Sequence, residues 1–185
     1  MGRTNLIIVI VFSLCSCVST APVRENRPYA WLSDTSKFFL LPPDDIEISM
    51  DMAQQISASY GGADYVLNAW VKADETGLDM TLLNELGANM GELSFRSGAV
   101  SFSSPLFPKS LEPAYIVADF QLCFYNEISL RRALESCGLE FETTQTGRLI
   151  SSNGKIIIEI EKKSDSVSLI NHLRGYTYTL EGEFY

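Results

Sequence analysis

The residue types that carry enzyme or metal chemistry are few in this chain, and their spacing forms no recognised site. His172 is the single histidine, so a histidine-rich zinc site is excluded, and the cysteines lack the CxxC spacing of structural zinc sites. The sequence contains no Gly-x-Ser-x-Gly elbow, phosphate-binding loop or dinucleotide fingerprint. Because His172 falls within a strand pattern, we predict a structural role for it. We expect a protein without a metal or other cofactor.

Two acid pairs, Glu140 with Glu142 and Glu159 with Glu161, each lie on one face of a predicted strand. Paired carboxylates support acid–base catalysis when burial separates their pKa values. Both pairs alternate with apolar residues, which is typical of the solvated outer face of a sheet. The sequence therefore gives no positive indication of catalysis, and we predict a non-enzymatic protein.

The N-terminus has the organisation of a bacterial export signal. A short start with the positive charge of Arg3 precedes the apolar run Leu6–Leu14, which is shorter than the about 20 residues of a membrane-spanning helix. The following Leu14-Cys15-Ser16-Cys17 resembles the lipobox of bacterial lipoproteins, in which the cysteine is acylated and becomes the first mature residue. We predict lipidation of Cys17. The alternative is ordinary signal cleavage nearby, which leaves Cys17 as a free or disulfide-bonded thiol.

These features divide the chain into a lipoprotein signal peptide (1–16), a lipidated N-terminus and tether (17–37) and one domain (38–185). The net charge of −9 argues against nucleic-acid partners, which require clustered Lys and Arg. It also argues against electrostatic adhesion to anionic lipid, so a lipid anchor is the expected membrane attachment. By the sorting rule that the lipobox resemblance implies, Val18 in place of Asp favours the periplasmic face of the outer membrane.

Strand patterns dominate the domain. Apolar and polar residues alternate from Ile46 to Met52 and again from Leu78 onward, which predicts strands with one buried face. Gly61-Gly62, Ser97-Gly98 and above all Asn153-Gly154 predict hairpin turns, the last because a type I′ turn needs positive φ at both central positions. We expect a mainly β, α+β fold in which antiparallel strands precede and follow a helical insert.

The insert between the two groups of strands predicts two helices. Apolar residues at helical spacing over 116–124 indicate the first, although a strand stays open there. Asn126 is suited to capping the second, in which Leu130 and Leu134 share an apolar face and which Gly138 ends. A sheet of this kind must close, or cover its open side with helices, to bury its apolar face.

Cys123 and Cys137 are the remaining cysteines of the mature chain. An oxidising periplasm permits a disulfide between them, whereas buried cysteines often serve as small apolar side chains. Spacing does not decide between a disulfide and two buried thiols, because the geometry of the folded chain does.

Aromatic and methionine side chains recur along the predicted strands and the first helix. Flexible methionines suit adaptable apolar sites, and a curved sheet with a helical cover often encloses a lipid-sized cavity. An ordinary packed core explains the same residues. The candidates for lining a cavity are Met50, Met52, Trp70, Met80, Phe95, Phe102, Phe120, Tyr176 and Tyr178.

Four segments in this order, Ile116–Leu122, Leu130–Leu134, Gly147–Gly154 and Leu169–Tyr176, resemble, together with the lipobox, an uncharacterised family of Gram-negative lipoproteins that share a domain of unknown function. The resemblance extends over residues 38–182. Members of that family are typically encoded beside the fatty-acid-synthase-like genes of aryl-polyene biosynthesis. The family is in turn distantly similar to LolB, an outer-membrane lipoprotein receptor.

The similarity to LolB implies an incomplete antiparallel β-barrel, covered by two helices, that encloses an acyl-chain cavity, as in LolB and its periplasmic carrier LolA. It implies three partners: the outer membrane, a lipophilic ligand and a LolA-like periplasmic carrier. The protruding apolar loop of LolB has no assigned counterpart here. Leu106-Phe107, between two prolines, is a candidate for such a tip.

Three hypotheses for function follow. The first is a binding and transfer protein that holds an acyl or polyene-type molecule, or a lipoprotein acyl chain, and helps to deliver it to the outer membrane. The second is a structural or adaptor lipoprotein with a solid core that recruits a periplasmic partner. The third is a hydrolase acting on exported lipid through Ser110, Ser129 or a glutamate pair, for which no nucleophile–base pair is visible. We favour the first, because burying an apolar chain requires no catalytic residue.

Overall fold

The computed structural model describes residues 27–60, 62–105 and 112–182. The predicted signal peptide, the lipidation site Cys17 and the apolar tip Leu106-Phe107 lie outside the described residues. Within the described ranges, no helix is both long enough and apolar enough to cross a membrane.

The described residues form twelve strands and two α-helices, along with a short 3-10 turn at Pro43–Asp45. Their order along the chain is β1 (Tyr29–Trp31), β2 (Lys37–Phe39), β3 (Met50–Tyr60), β4 (Ala63–Asp74), β5 (Gly77–Leu83), β6 (Asn89–Arg96), β7 (Ala99–Ser103), α1 (Pro113–Phe124), α2 (Glu127–Ser136), β8 (Glu140–Thr143), β9 (Gly147–Ser152), β10 (Lys155–Lys162), β11 (Ser166–Asn171) and β12 (Tyr176–Glu181).

Ten strands form one antiparallel sheet in the order β7-β6-β5-β4-β3-β12-β11-β10-β9-β8, and β1 and β2 form a separate hairpin. Two meanders meet at the centre of this sheet, where β3 pairs with β12. The first runs outward from β3 to β7 and the second runs inward from β8 to β12, so α1 and α2 connect the two edges. Among the described residues β7 and β8 do not pair, and the barrel is therefore incomplete. The predicted fold class, mainly β with a helical insert and an open antiparallel barrel, is confirmed.

The predicted hairpin turns are confirmed where they are described. Ser97 and Gly98 have φ values of 50° and 73°, and Asn153 and Gly154 have φ values of 52° and 71°. Gly62, which precedes β4, has a φ of 82°. Glycine and asparagine adopt this region of φ at low cost, so these turns fix the strand registers locally.

The first long strand begins later than its alternating sequence predicts. β3 starts at Met50, whereas Ile46 forms an isolated bridge with Tyr125 and the Glu47 amide donates to the Phe124 carbonyl at 3.0 Å. Residues 46 and 47 therefore provide hydrogen-bond partners for the end of α1 and do not extend the sheet.

The folded part of the chain also begins before residue 38. In the β1–β2 hairpin, Ala30, Leu32 and Phe38 are buried against the core. The tether predicted over residues 17–37 is therefore too long, because residues 29–31, which show no periodicity, form a strand.

Helix α1 is buried on nearly every side. Residues 117–124 are all buried, and the helix contacts β1, β7 and β11. A helix that is apolar all round lies inside a protein, which explains why its sequence also allowed a strand. Gln121, a polar residue in this stretch, exchanges two hydrogen bonds with the backbone of Leu41: its Oε1 accepts from the amide at 2.9 Å and its Nε2 donates to the carbonyl at 2.8 Å.

Helix α2 is the amphipathic helix that the sequence predicts. Asn126 Oδ1 accepts hydrogen bonds from the amides of Ile128 and Ser129, which is the geometry of an N-cap. Leu130 is fully buried. Gly138, just beyond the helix end, has a φ of 82°, as a left-handed C-terminal cap requires.

Arg148 of β9 provides donors for the carboxyl end of α1. Its guanidinium donates to the carbonyls of Leu122 at 2.7 Å, Cys123 at 3.2 Å and Tyr125 at 2.8 Å. It also lies 3.2 Å from the Glu47 carboxylate. The last carbonyls of a helix have no partner within the helix, and a cation there also complements the helix macrodipole. Arg148 is 4% exposed, so water does not take this role.

Replacing Arg148 with alanine leaves buried carbonyls without donors. We expect Arg148→Ala to lower the free energy of unfolding by about 3 kcal/mol, because each buried carbonyl left unsatisfied costs about 1–3 kcal/mol. Urea denaturation followed by circular dichroism measures the change. Arg132→Ala, at an exposed position of α2, is the matched control and is expected to stay within about 0.5 kcal/mol of wild type. Equal stability of the two variants would contradict the capping role.

Candidate functional site

A cavity of about 200 Å³ lies between the inner face of the sheet and α1. Six strands of the sheet and one face of the helix line it. Nearly all of the lining side chains are apolar; the exceptions are one carboxylate and one tyrosine hydroxyl. The lining residues are Ile56, Ala58, Leu67, Met80, Leu82, Leu93, Phe102, Ile116, Asp119, Phe120, Tyr178 and Leu180.

Two regular periodicities direct these side chains to the cavity. In α1, Ile116, Asp119 and Phe120 are three and four residues apart and therefore share one face of the helix. In the strands the lining residues are two apart, as Met80 and Leu82 are in β5, because successive side chains point to opposite faces of a sheet. The site is therefore made of regular elements, which hold its shape.

Four of the predicted cavity residues line this cavity, namely Met80, Phe102, Phe120 and Tyr178. They come from three strands and from α1, so the structure brings together residues that are almost 100 positions apart in the chain.

Four other predicted cavity residues lie inside the domain but not in the lining. Met50 and Phe95 are buried in the core, and Met52 packs against it. Tyr176 contacts the cavity indirectly, through a hydrogen bond to Asp119. Met50, Met52 and Phe95 therefore belong to the packed core, which was the alternative interpretation of these residues.

The prediction that Trp70 lines the cavity is wrong. Trp70 is 50% exposed on the outer face of the sheet, where its indole N–H donates to the Asp51 carboxylate at 2.8 Å. Its neighbours Ala69 and Val71 are buried, and the alternation of β4 therefore turns Trp70 outward. Large size alone does not indicate the inner face, whereas the small buried residues on either side do.

The sequence-based reasoning missed the cavity's one carboxylate, Asp119. The signal that could have found it was the spacing of Asp119 from Ile116 and Phe120, which places it on the apolar face of a helix. The other missed lining residues are strand aliphatics, which cannot be distinguished from ordinary core residues by their sequence pattern. They are Ile56, Ala58, Leu67, Leu82, Leu93 and Leu180.

Asp119 is held at a fixed position in the cavity wall. It is 8% exposed, and its Oδ2 accepts a hydrogen bond from the Tyr176 hydroxyl at 2.7 Å. The Asn171 side-chain amide donates to the same hydroxyl at 3.2 Å. Burial raises the pKa of Asp119 to about 7, although the hydrogen bond from Tyr176 and the charge of Arg174 act against this change. Asp119 therefore changes its charge near neutral pH inside an apolar cavity.

The two cysteines are free thiols with separate surroundings. The Cys123 thiol lies 3.5 Å from the Tyr178 hydroxyl, and the Cys137 thiol donates to the Leu134 carbonyl at 3.2 Å. The structure thus agrees with two thiols and not with a disulfide; Cys123 is buried and Cys137 is half-buried. Burial raises the pKa of Cys123 to about 12 and that of Tyr178 well above its ordinary value, so both groups stay neutral beside the cavity.

The other residues considered for chemistry lie outside the cavity. His172 is in the turn after β11 and not in a strand, and its Nε2 lies 3.2 Å from the Glu159 carboxylate. The Ser129 hydroxyl donates to the Asp45 carboxylate at 2.6 Å, and Ser110 lies outside the described residues. In the described part of the chain, no group of three or more His, Cys, Asp and Glu residues is placed to hold a metal ion.

The four strand glutamates occupy the surface that their alternation predicts. Glu140, Glu142 and Glu161 are exposed, and Glu159 is half-buried. The alternation along their strands therefore accounts for the positions of all four side chains.

A family model described as "Protein of unknown function (DUF3261)" matches residues 51–182. The match begins in β3 and ends just after β12, so it includes the ten-stranded sheet, both helices and all lining residues of the cavity. The prediction of an uncharacterised domain family is confirmed by this match. No curated protein matches the chain.

Asp119→Asn is expected to change the pH dependence of stability. Because burial raises the folded-state pKa of Asp119 from 3.8 to about 7, wild-type stability falls as the pH rises between these values and levels off above them. Asparagine carries no charge, so the unfolding free energy of the variant should rise relative to wild type over this interval. The expected relative gain is a few kcal/mol, because each tenfold change in proton affinity between the folded and unfolded states corresponds to about 1.4 kcal/mol.

Urea denaturation of both proteins at about pH 4.5, 6 and 8 measures this difference. Asp34→Asn, at an exposed turn position, is the matched control and should show a constant difference from wild type. A constant difference for Asp119→Asn as well would show that Asp119 does not titrate in this interval.

Proposed function

The chain belongs to DUF3261, a family of proteins of unknown function, and we propose that it is a non-enzymatic lipoprotein that binds a lipophilic molecule in its cavity. The bound molecule is an acyl or polyene-type chain, or the acyl chain of a lipoprotein. The protein assists the transfer of this molecule to the outer membrane.

The observation that carries the proposal is the apolar cavity between the sheet and α1. An apolar cavity of about 150 Å³ stays dry and can bind a small hydrocarbon, and this cavity has about 200 Å³. Each methylene group that leaves water contributes about 0.8 kcal/mol to binding. Since pockets for drug-sized ligands have about 300–1,000 Å³, the cavity suits a segment of a chain or a single ring.

The open sheet provides a path by which a longer chain reaches the cavity. Helix α1 contacts the edge strand β7, and α2 contacts the other edge strand, β8. The helices therefore lie between two edges that no backbone pairing holds together in the described structure. A small outward movement of α1 would enlarge the cavity that Ile116, Asp119 and Phe120 close on the helix side, and α1 would act as a lid.

Lipidation at Cys17 is the second part of the proposal. An acylated Cys17 would hold the domain at the periplasmic face of the outer membrane, and Val18 supports that location by the sorting rule. A LolA-like periplasmic carrier is the partner proposed for delivery of the ligand. The net charge of −9 agrees with attachment through lipid chains and not through basic residues.

An adaptor function is the alternative, and an exposed aromatic surface beside β1 favours it. Tyr29 and Trp31 are 41% and 39% exposed and line, with Tyr115, a groove of about 510 Å³. Exposed aromatic side chains are frequent at protein interfaces. On this alternative the cavity stays empty, and a periplasmic partner binds at the groove.

Native mass spectrometry distinguishes the two functions. Residues 18–185, which include every described residue, would be exported without the anchor from a host that makes the cognate lipid and purified without detergent. We expect a stoichiometric acyl or polyene species bound to the wild-type protein. Ala58→Phe fills the cavity and should lower the affinity for the bound species at least about tenfold, the effect of losing roughly two buried methylene groups.

Ser59→Phe is the matched control, since Ser59 is the exposed neighbour of Ala58 on the outer face of β3. It should keep the bound species. Empty wild-type protein in repeated preparations, with no uptake of added fatty-acyl probes, would overturn the transfer function and favour the adaptor.

Cys17→Ser tests the anchor separately. We expect the wild-type chain to incorporate labelled palmitate and to fractionate with outer membranes. The variant should lose the label and leave the outer-membrane fraction, because the acyl chains on Cys17 are the proposed anchor. Cys15→Ser is the control and should keep both properties. Label in the Cys17→Ser protein would place the acylation elsewhere.

A further inference from the structure

We propose that Asp119, positioned by Tyr176, is the polar end of the cavity and selects lipophiles whose polar group is an uncharged hydrogen-bond acceptor, such as a carboxylic ester, over free fatty acids. This inference rests on the proposed lipid-binding function and adds the chemical class of the ligand to it.

The position of Asp119 supplies the geometric basis. It is the one carboxylate in a wall that is otherwise apolar except for the Tyr178 hydroxyl, and it lies on the same helix face as Ile116 and Phe120. Asp119 is therefore within reach of a polar group carried by a ligand whose chain contacts these apolar residues. The 2.7 Å hydrogen bond from Tyr176 fixes the carboxyl group, so it is already oriented before a ligand arrives.

The charges around the cavity disfavour a ligand carboxylate. The lining contains no Lys, Arg or His among the described residues. Arg174, in the turn between β11 and β12, is a cation whose charge acts on Asp119. Its guanidinium is already used: it donates to the Trp31 carbonyl at 2.5 Å and to the Tyr115 hydroxyl at 3.1 Å, and it stacks over the Tyr115 ring. A buried carboxylate without a paired cation is costly.

The protonated Asp119 carboxyl group, in contrast, suits an ester. It has one O–H that can donate to a carbonyl oxygen. Burial already favours the neutral form. Of the other ionisable groups that influence Asp119, Tyr176, Tyr178 and Cys123 are kept neutral by their burial, which raises the pKa of each.

Competition experiments test this selection. A neutral fluorescent probe, N-phenyl-1-naphthylamine, whose three rings require the outward movement of α1 described above, would be displaced from residues 18–185 by methyl decanoate or by decanoic acid at about pH 6, 7 and 8. We expect the ester to bind at least about tenfold more tightly than the acid at pH 7. Ester affinity should fall about tenfold from pH 6 to pH 8, because binding requires the proton on a group that titrates near pH 7.

Asp119→Asn should remove the pH dependence and narrow the preference for the ester, because the asparagine amide can donate to a carboxylate at every pH. Asp34→Asn, at its exposed position, should behave as wild type. Ala58→Phe should abolish displaceable probe binding and so assigns the measured binding to the cavity.

The outcomes separate the two levels of the proposal. Binding of the probe and both ligands to wild type but not to Ala58→Phe supports lipid binding in the cavity. If, in addition, wild type binds ester and acid equally, or shows the same pH profile as Asp119→Asn, the selection by Asp119 is wrong while lipid binding stands. If neither the probe nor either ligand binds the wild-type protein at any pH, the proposed function fails, and the selection fails with it.

Discussion

The end of a helix that lies inside a protein needs hydrogen-bond partners from other parts of the chain, and this constraint organises the domain. Helix α1 is buried along most of its length, so water cannot solvate its last carbonyls. Arg148 from β9 donates to three of them, and the Glu47 amide donates to a fourth, that of Phe124. One buried guanidinium thus joins the helix to the second meander, while the segment before β3 joins it to the first.

This arrangement also fixes where the cavity is. Arg148 holds the carboxyl end of α1, and the residues just before that end, Ile116, Asp119 and Phe120, form one wall of the cavity, opposite β3–β7 and β12. A carboxyl group in that apolar space is unfavourable for stability, and such local costs are frequent at functional sites.

The sequence predicted those features that depend on local chemistry. Asn153-Gly154 forms a turn because both residues adopt positive φ at low cost, and the turn at Ser97-Gly98 relies on its glycine. Asn126 caps α2 because its side chain reaches its own helix. Features that depend on distant contacts were not predictable. β3 starts later than its alternating sequence predicts because the end of α1 binds residues 46 and 47. Asp119 belongs to a cavity because six strands and a helix meet around that cavity.

The most direct measurement is a crystal structure of residues 18–185 with a brominated decanoate methyl ester. Anomalous scattering locates the bromine without reference to the protein chain. If the cavity is the binding site, the bromine lies between α1 and the sheet, in contact with Phe120 or Met80, and the ester carbonyl lies within hydrogen-bond distance of Asp119. An empty cavity in crystals that hold the ester elsewhere, or hold none at saturating concentration, would contradict lipid binding by this domain.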